Sequence, residues 1–159
     1  MCMEERLQGN PVSEGIAYAK SYIYIPGTLT KAPDFFPKGQ EEEKYREFRE
    51  SCEKADSELV TLYNGMCKED PDKAKIFSAH RELLQDEEIL DEIRETICEE
   101  NMNPDSAVSK VYTEFAELLA GVEDPLIAER AADLRDVRDR CSGFCRGRKR
   151  LSCLRFRKM

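Results

Sequence analysis

Histidine and cysteine are the side chains best suited to chemistry in this 159-residue chain, and neither is grouped as a reactive site needs. His80 is the sole histidine. An imidazole titrates near neutral pH and works as a base, nucleophile or ligand when partners surround it. Here its neighbours at helical spacing are Phe77 and Leu84, which place it on an apolar helix face and give it a structural or interface role. Seven cysteines are present, an odd number, and the first four are far apart. With no export signal they read as reduced thiols. Cys141, Cys145 and Cys153 follow C-x3-C-x7-C, but zinc sites want four ligands at tighter spacing, and no nearby histidine or acid completes this set. The sequence shows no Gly-rich phosphate cradle and no Ser/His/Asp set, and its many carboxylates fall at exposed helical spacings. The basic run Arg146–Arg150 can hold phosphates non-specifically, yet it belongs to no nucleic-acid reading module.

The elements that must position these groups are helices. Charged residues make up 36% of the chain and apolar ones 40%, a balance of long solvated helices around an aliphatic core. No stretch approaches the roughly 20 apolar residues that span a bilayer, and the N-terminus has no apolar signal core. The expectation is a cytoplasmic protein with no membrane or nucleic-acid partner. Charge divides the chain. Seven of its 25 basic residues follow Cys141 with no acidic ones, so residues 1–140 hold 18 basic against 33 acidic residues, a net of −15.

Residues 15–25 are rich in tyrosine and isoleucine and predict a short strand, ended by Pro26-Gly27. A strand cannot stand alone, and the rest of the chain offers it no obvious sheet. Residues 28–40 carry Pro33 and Pro37 and read as a linker. From Glu41, the positions Tyr45, Phe48, Cys52, Ala55, Leu59, Leu62 and Met66 step by three and four along one long helix. Asp70-Pro71, Asn103-Pro104 and Asp124-Pro125 each set a capping oxygen before a proline at the first helical position. The helix after Pro71 is bent or broken near Gln85, with Asp86 placed to cap a continuation. The third carries Val108, Val111, Tyr112, Phe115, Leu118 and Leu119 and stops at Gly121, and the fourth carries Ile127, Ala131, Leu134 and Val137. Short connections make neighbours antiparallel, so the fold class is mostly α: two packed helical hairpins of four helices, the second bent or broken, after a short strand.

Three strings in order give a family resemblance. Ser13–Lys20, SEGIAYAK, resembles an opening S-P-G-I-A strand. Ile76–Glu88, IFSAHRELLQDEE, resembles I-F-x-x-H-x-x-L-L-x-D-x-E. Glu129–Arg140, ERAADLRDVRDR, resembles E-R-A-x-D-x-R-D-x-x-x-R. Together they resemble phosphoenolpyruvate–protein phosphotransferase, enzyme I of the bacterial sugar phosphotransferase system. The resemblance covers about residues 8–140.

It implies that residues 1–27 begin an α/β swivelling domain whose sheet partners lie beyond residue 140. It implies that 41–140 form the inserted helical domain that docks the phosphocarrier protein HPr. Residues 141–159 then read as a disordered or out-of-frame tail. In the family a histidine in a G-G-x-[ST]-S-H string takes phosphate from phosphoenolpyruvate, and a later domain holds magnesium and makes the dimer. No Gly-Gly pair appears here, and His80 matches the family's helix histidine. This chain is therefore expected to bind without catalysing, without cofactor and as a monomer. The resemblance places the HPr face at Glu82, Leu83, Glu87, Glu88 and Ile89, with Asp72, Lys73, Leu119 and Arg130 beside it. An apolar and acidic face suits a partner with basic groups around an apolar patch, through buried area and charge steering. The plainer account of Glu87 and Glu88 is stabilisation of a helix N-terminus. That of Asp72 and Lys73 is a solvated first turn, and that of Arg130 an ion pair with Glu129 or Asp133. The alternatives are a free-standing HPr-binding competitor and an unrelated helical scaffold.

Overall fold

A computed structural model gives the protein's structure and describes residues 33–147. The expected strand at 15–25 and the basic residues from 148 onward lie outside the described residues. Helix α1 spans Glu41–Met66, α2 Pro71–Leu84, α3 Glu87–Cys98, α4 Pro104–Ala120 and α5 Pro125–Cys145. The pairs α4–α5 and α1–α2 make the most extensive contacts, so the two hairpins stand as expected. The second helix is broken outright into α2 and α3.

The helix starts show why. Glu41, Glu42 and Glu43 put negative charge at the positive end of the α1 dipole. The Glu41 carboxylate accepts the Gly39 N–H at 2.8 and 2.9 Å, and this bond holds its pKa below the usual value. Gly39 has φ 96°, a conformation that favours glycine. Asp70 caps α2 by accepting from the N–H groups of Asp72 and Lys73 at 3.2 and 3.1 Å. Asp124 caps α5 through Leu126 N–H at 2.9 Å.

Asn103 departs from the expected cap. Its side chain makes no capping bond to α4. Instead its Nδ2 donates to Pro33 O at 2.6 Å, while its N–H donates to Asp34 O at 2.8 Å. Phe36 N–H donates to Asn101 O at 2.9 Å, and the Phe36 ring enters the core. Residues 33–36, expected as linker, are thus pinned to the α3–α4 turn. Each polar bond there fixes a short segment that Phe36 anchors by apolar burial.

The core joins Phe48, Ala55 and Leu59 of α1, Leu84 of α2, Ile89, Ile93 and Ile97 of α3, Val108, Val111 and Tyr112 of α4, and Leu134 and Val137 of α5. The α1 seam is buried at its centre, while Tyr45 and Cys52 are only partly covered. Leu118 and Ile127, expected on apolar faces, lie at the surface, Leu118 at 69% exposure, and Leu62 and Met66 at the end of the α1 seam are only half-buried and outside the core.

Helix α5 corrects the boundary set at residue 140. It runs to Cys145, with Cys141 fully buried and Ser142 nearly so. The apolar steps Leu134, Val137, Cys141 and Cys145 keep helical phase through the change of composition. Arg146 Nε then donates to the buried Asp105 carboxylate at 3.0 Å and pins the end of α5 to the start of α4. No helix among the described residues is long and apolar enough to cross a membrane.

Candidate docking site

The break between α2 and α3 is built from its own side chains. Gln85 ends α2, its N–H shared between Arg81 O and Glu82 O at 3.1 and 3.2 Å. Asp86 leaves helical geometry and its Oδ1 accepts from Glu88 N–H at 3.1 Å and Ile89 N–H at 3.2 Å. These bonds satisfy donors that the new helix start would leave without partners. The break is also fastened to α1. Arg81 Nε and Gln85 Nε2 both donate to Asp56 Oδ1, at 2.7 and 3.1 Å. The Asp56 carboxylate raises the Arg81 pKa further.

Around this rigid corner, Glu82, Glu87 and Glu88 are exposed and Leu83 is half-buried. Leu83 O accepts a long bond from Tyr112 Oη of α4 at 3.3 Å. Burial pushes the Tyr112 phenol well up, so it remains a neutral donor. Glu87 and Glu88 also fill the first turn of α3, so the dipole role and an exposed acidic face coexist. Ile89 does not share this face. It is 3% exposed and packs in the core, because it falls in phase with Ile93 and Ile97.

His80 lies one turn before Leu83 and Leu84. It is buried, and its Nε2 sits 3.4 Å from Asp133 Oδ1 on α5. This contact holds α2 beside α5. Arg130 stands one turn before Asp133 and is exposed. Leu119 is half-buried near the end of α4, two turns beyond Tyr112 on the same stripe. Asp72 and Lys73 lie in the exposed first turn of α2. Asp72 accepts from Lys75 Nζ at 2.8 Å and Lys73 Nζ lies 3.0 Å from Asp70. The Lys73 ammonium and backbone N–H lower the Asp70 pKa. The structure therefore gathers Glu82, Leu83, Glu87 and Glu88 at one corner, keeps Arg130 on the neighbouring helix, and gives Asp72 and Lys73 local partners.

Sequence reasoning missed Asp56 and Asp133, whose roles depend on helices brought together only by folding. It also missed Leu126, 75% exposed in the first turn of α5. Its exposure was not legible in the periodicity, since Leu126 falls about three turns before the buried Val137; it is exposed because it sits in the first turn of α5. Among the described residues no group of three or more His, Cys, Asp or Glu side chains is arranged to hold a metal ion. The corner offers shape, charge and apolar surface.

The class of protein is set by this arrangement: a helical domain of two hairpins whose second helix is interrupted by an aspartate cap. The chain belongs to the family described as PEP-utilising enzyme, N-terminal, whose model matches residues 8–130. It is similar to the phosphoenolpyruvate-protein phosphotransferase of Staphylococcus aureus strain MRSA252, 33% identical over 143 residues, covering 87% of this chain and 24% of that protein. The protein of the same name from Bacillus subtilis strain 168 is 32% identical over 144 residues, covering 90% of this chain and 25% of that protein. The NMR solution structure of an enzyme I protein (nEIt) superimposes with a TM-score of 0.72 at 30% identity, over 76% of this chain and 49% of that one. The chain thus spans about a quarter of the length of the curated relatives it matches.

Proposed function

We propose that this helical domain docks the phosphocarrier protein HPr, as the N-terminal part of a phosphoenolpyruvate–protein phosphotransferase. The observation that carries the reading is the corner at Asp86, where exposed Glu82, Glu87 and Glu88 surround half-buried Leu83 on a backbone fixed by caps. Leu83 supplies apolar area. The carboxylates steer a basic partner and fix its orientation. Arg130 and Leu119 extend the face, and Asp72 and Lys73 flank it. Ile89 supports the face from within the core.

In this reading the parent enzyme moves a phosphoryl group from phosphoenolpyruvate through a histidine to HPr, and this domain positions the acceptor protein. Positioning is a large part of phosphoryl transfer, since the reacting oxygens must lie in line. The test is an NMR titration of the isotope-labelled full chain with unlabelled HPr. Amide signals of Glu82–Glu88, Leu119 and Arg130 shift, and those of the Asn101–Asn103 turn stay in place. Shifts confined to the α3–α4 turn, or none at all, overturn the reading.

A further inference from the structure

Three thiols meet where α1 crosses α5. Cys52 Sγ of α1 lies 3.7 Å from Cys141 Sγ of α5, and Cys145 follows one turn later. Cys141 is fully buried and Cys52 is half-buried. Cys52 also lines an open cleft of about 410 Å³, together with Arg49, Glu53, Asp56, Leu84 and Gln85. The cluster thus has an accessible sulfur facing a cleft and a second sulfur directly behind it. We propose that Cys52 and Cys141 form a reversible dithiol–disulfide site, oxidised by exchange with a low-molecular-weight disulfide that enters the cleft.

Geometry selects this pair over the other in the cluster. Side chains four apart on a helix stand with Cβ atoms about 5–6 Å apart, whereas a disulfide needs about 3.5–4.5 Å. Linking Cys141 to Cys145 would therefore distort α5. Cys52 and Cys141 face each other across a helix–helix contact with their sulfurs already touching. Closing the bond to about 2.0 Å takes side-chain rotation and a small helix adjustment.

The exchange runs in two steps. Cys52, as thiolate, attacks one sulfur of the small disulfide. A mixed disulfide forms at Cys52 and one small thiolate leaves, taking up the proton that Cys52 released. Cys141 Sγ then attacks the Cys52 sulfur, the second small thiol departs with the Cys141 proton, and the Cys52–Cys141 bond is complete. The two protein thiols are oxidised and one small disulfide is reduced to two small thiols. A hydrogen bond with Cys145, one with Cys52, and burial hold the Cys141 thiol well up, so Cys141 is the slower, resolving partner. The product clamps the middle of α1 to the last turns of α5, closing a long loop that restricts the unfolded chain.

The full-length chain is incubated, folded, with oxidised glutathione, and free thiols are then blocked with N-ethylmaleimide. Digestion with trypsin and chymotrypsin separates Cys141 from Cys145 at Phe144, and unreduced peptides are read by mass spectrometry. The expected product links residues 50–54 to 141–144, disappears with reductant, and raises the melting temperature. In C141A the glutathione adduct stops at Cys52. In C52A no link to Cys141 forms, a readout that remains if C141A fails to fold. A stable glutathione adduct on Cys52 in the unsubstituted chain, a link from Cys141 to any other cysteine, or no reaction at Cys52 overturns the proposal.

Discussion

His80 is the residue whose type most invites a chemical role, and its surroundings assign it another. It is buried on α2, its Nε2 faces Asp133 across the α2–α5 contact, and its Nδ1 has no hydrogen-bond partner. A phosphoryl acceptor must present a nitrogen in line with an incoming donor. The imidazole here is closed in by protein. Incubation of the chain with phosphoenolpyruvate and magnesium leaves His80 unlabelled; acid-labile phosphate on His80, found by peptide mapping, contradicts this. The sequence pointed to the structural role, because Phe77 and Leu84 bracket His80 at helical spacing. Asp133 was not readable as its partner, since 53 residues separate the two and only the packing of α2 on α5 brings them together. Ile89 shows the opposite failure. Resemblance placed it on the docking face, yet its phase with Ile93 and Ile97 sends it inward, and that phase was present in the sequence.

Among the elements, caps account for most of what could be read in advance. Asp70, Asp86 and Asp124 each accept backbone N–H groups as their positions predict. Asn103 does not, because residues 33–36 return to the α3–α4 turn and compete for its side chain. A local pattern cannot foresee a partner 70 residues away. The Asp86 cap matters most, for it both stops α2 and starts α3. Replacing Asp86 with alanine costs about 1 kcal/mol of stability, the usual loss for an N-cap. Denaturant titration should show a lower midpoint with an unchanged slope. Asparagine at the same position should restore most of the loss. An alanine variant as stable as the parent would mean that the break is held by Arg81, Gln85 and Asp56 alone. The end of α5 was misread for a different reason. Composition turns basic after Cys141, but the buried stripe continues through Cys141 to Cys145, and periodicity outweighed composition.

The whole molecule, within residues 33–147, is two hairpins locked by a shared core and by polar ties at their ends. Arg140 reaches Glu58, and Arg146 reaches Asp105. The Asp86 corner has its own fastening, through Arg81 and Gln85 to Asp56, so the proposed docking there would lose little freedom on association. The two-hairpin plan was readable because α2, α3, α4 and α5 each begin at a proline or an aspartate cap, α1 begins with three glutamates, and each helix carries an apolar stripe. Leu118 was placed on an apolar face and Leu126 was passed over, yet both are exposed, since hydrophobicity alone does not tell a contact surface from an interior. Both lie near the α4–α5 turn, where a partner covering Leu119 and Arg130 would also reach apolar surface.

Calorimetric titration of HPr against the chain and its Leu83→Asp variant decides whether the Asp86 corner is the HPr face. The variant places a charge at the centre of the face and should weaken binding about 30-fold or more, a loss of roughly 2 kcal/mol typical of a central interface residue. Circular dichroism of the variant should remain that of the parent. A charge-reversed Glu87→Lys, Glu88→Lys variant, exposed at both sites, gives the same answer if Leu83→Asp does not fold. A folded variant that binds HPr as tightly as the parent would mean that HPr docks elsewhere or not on this face.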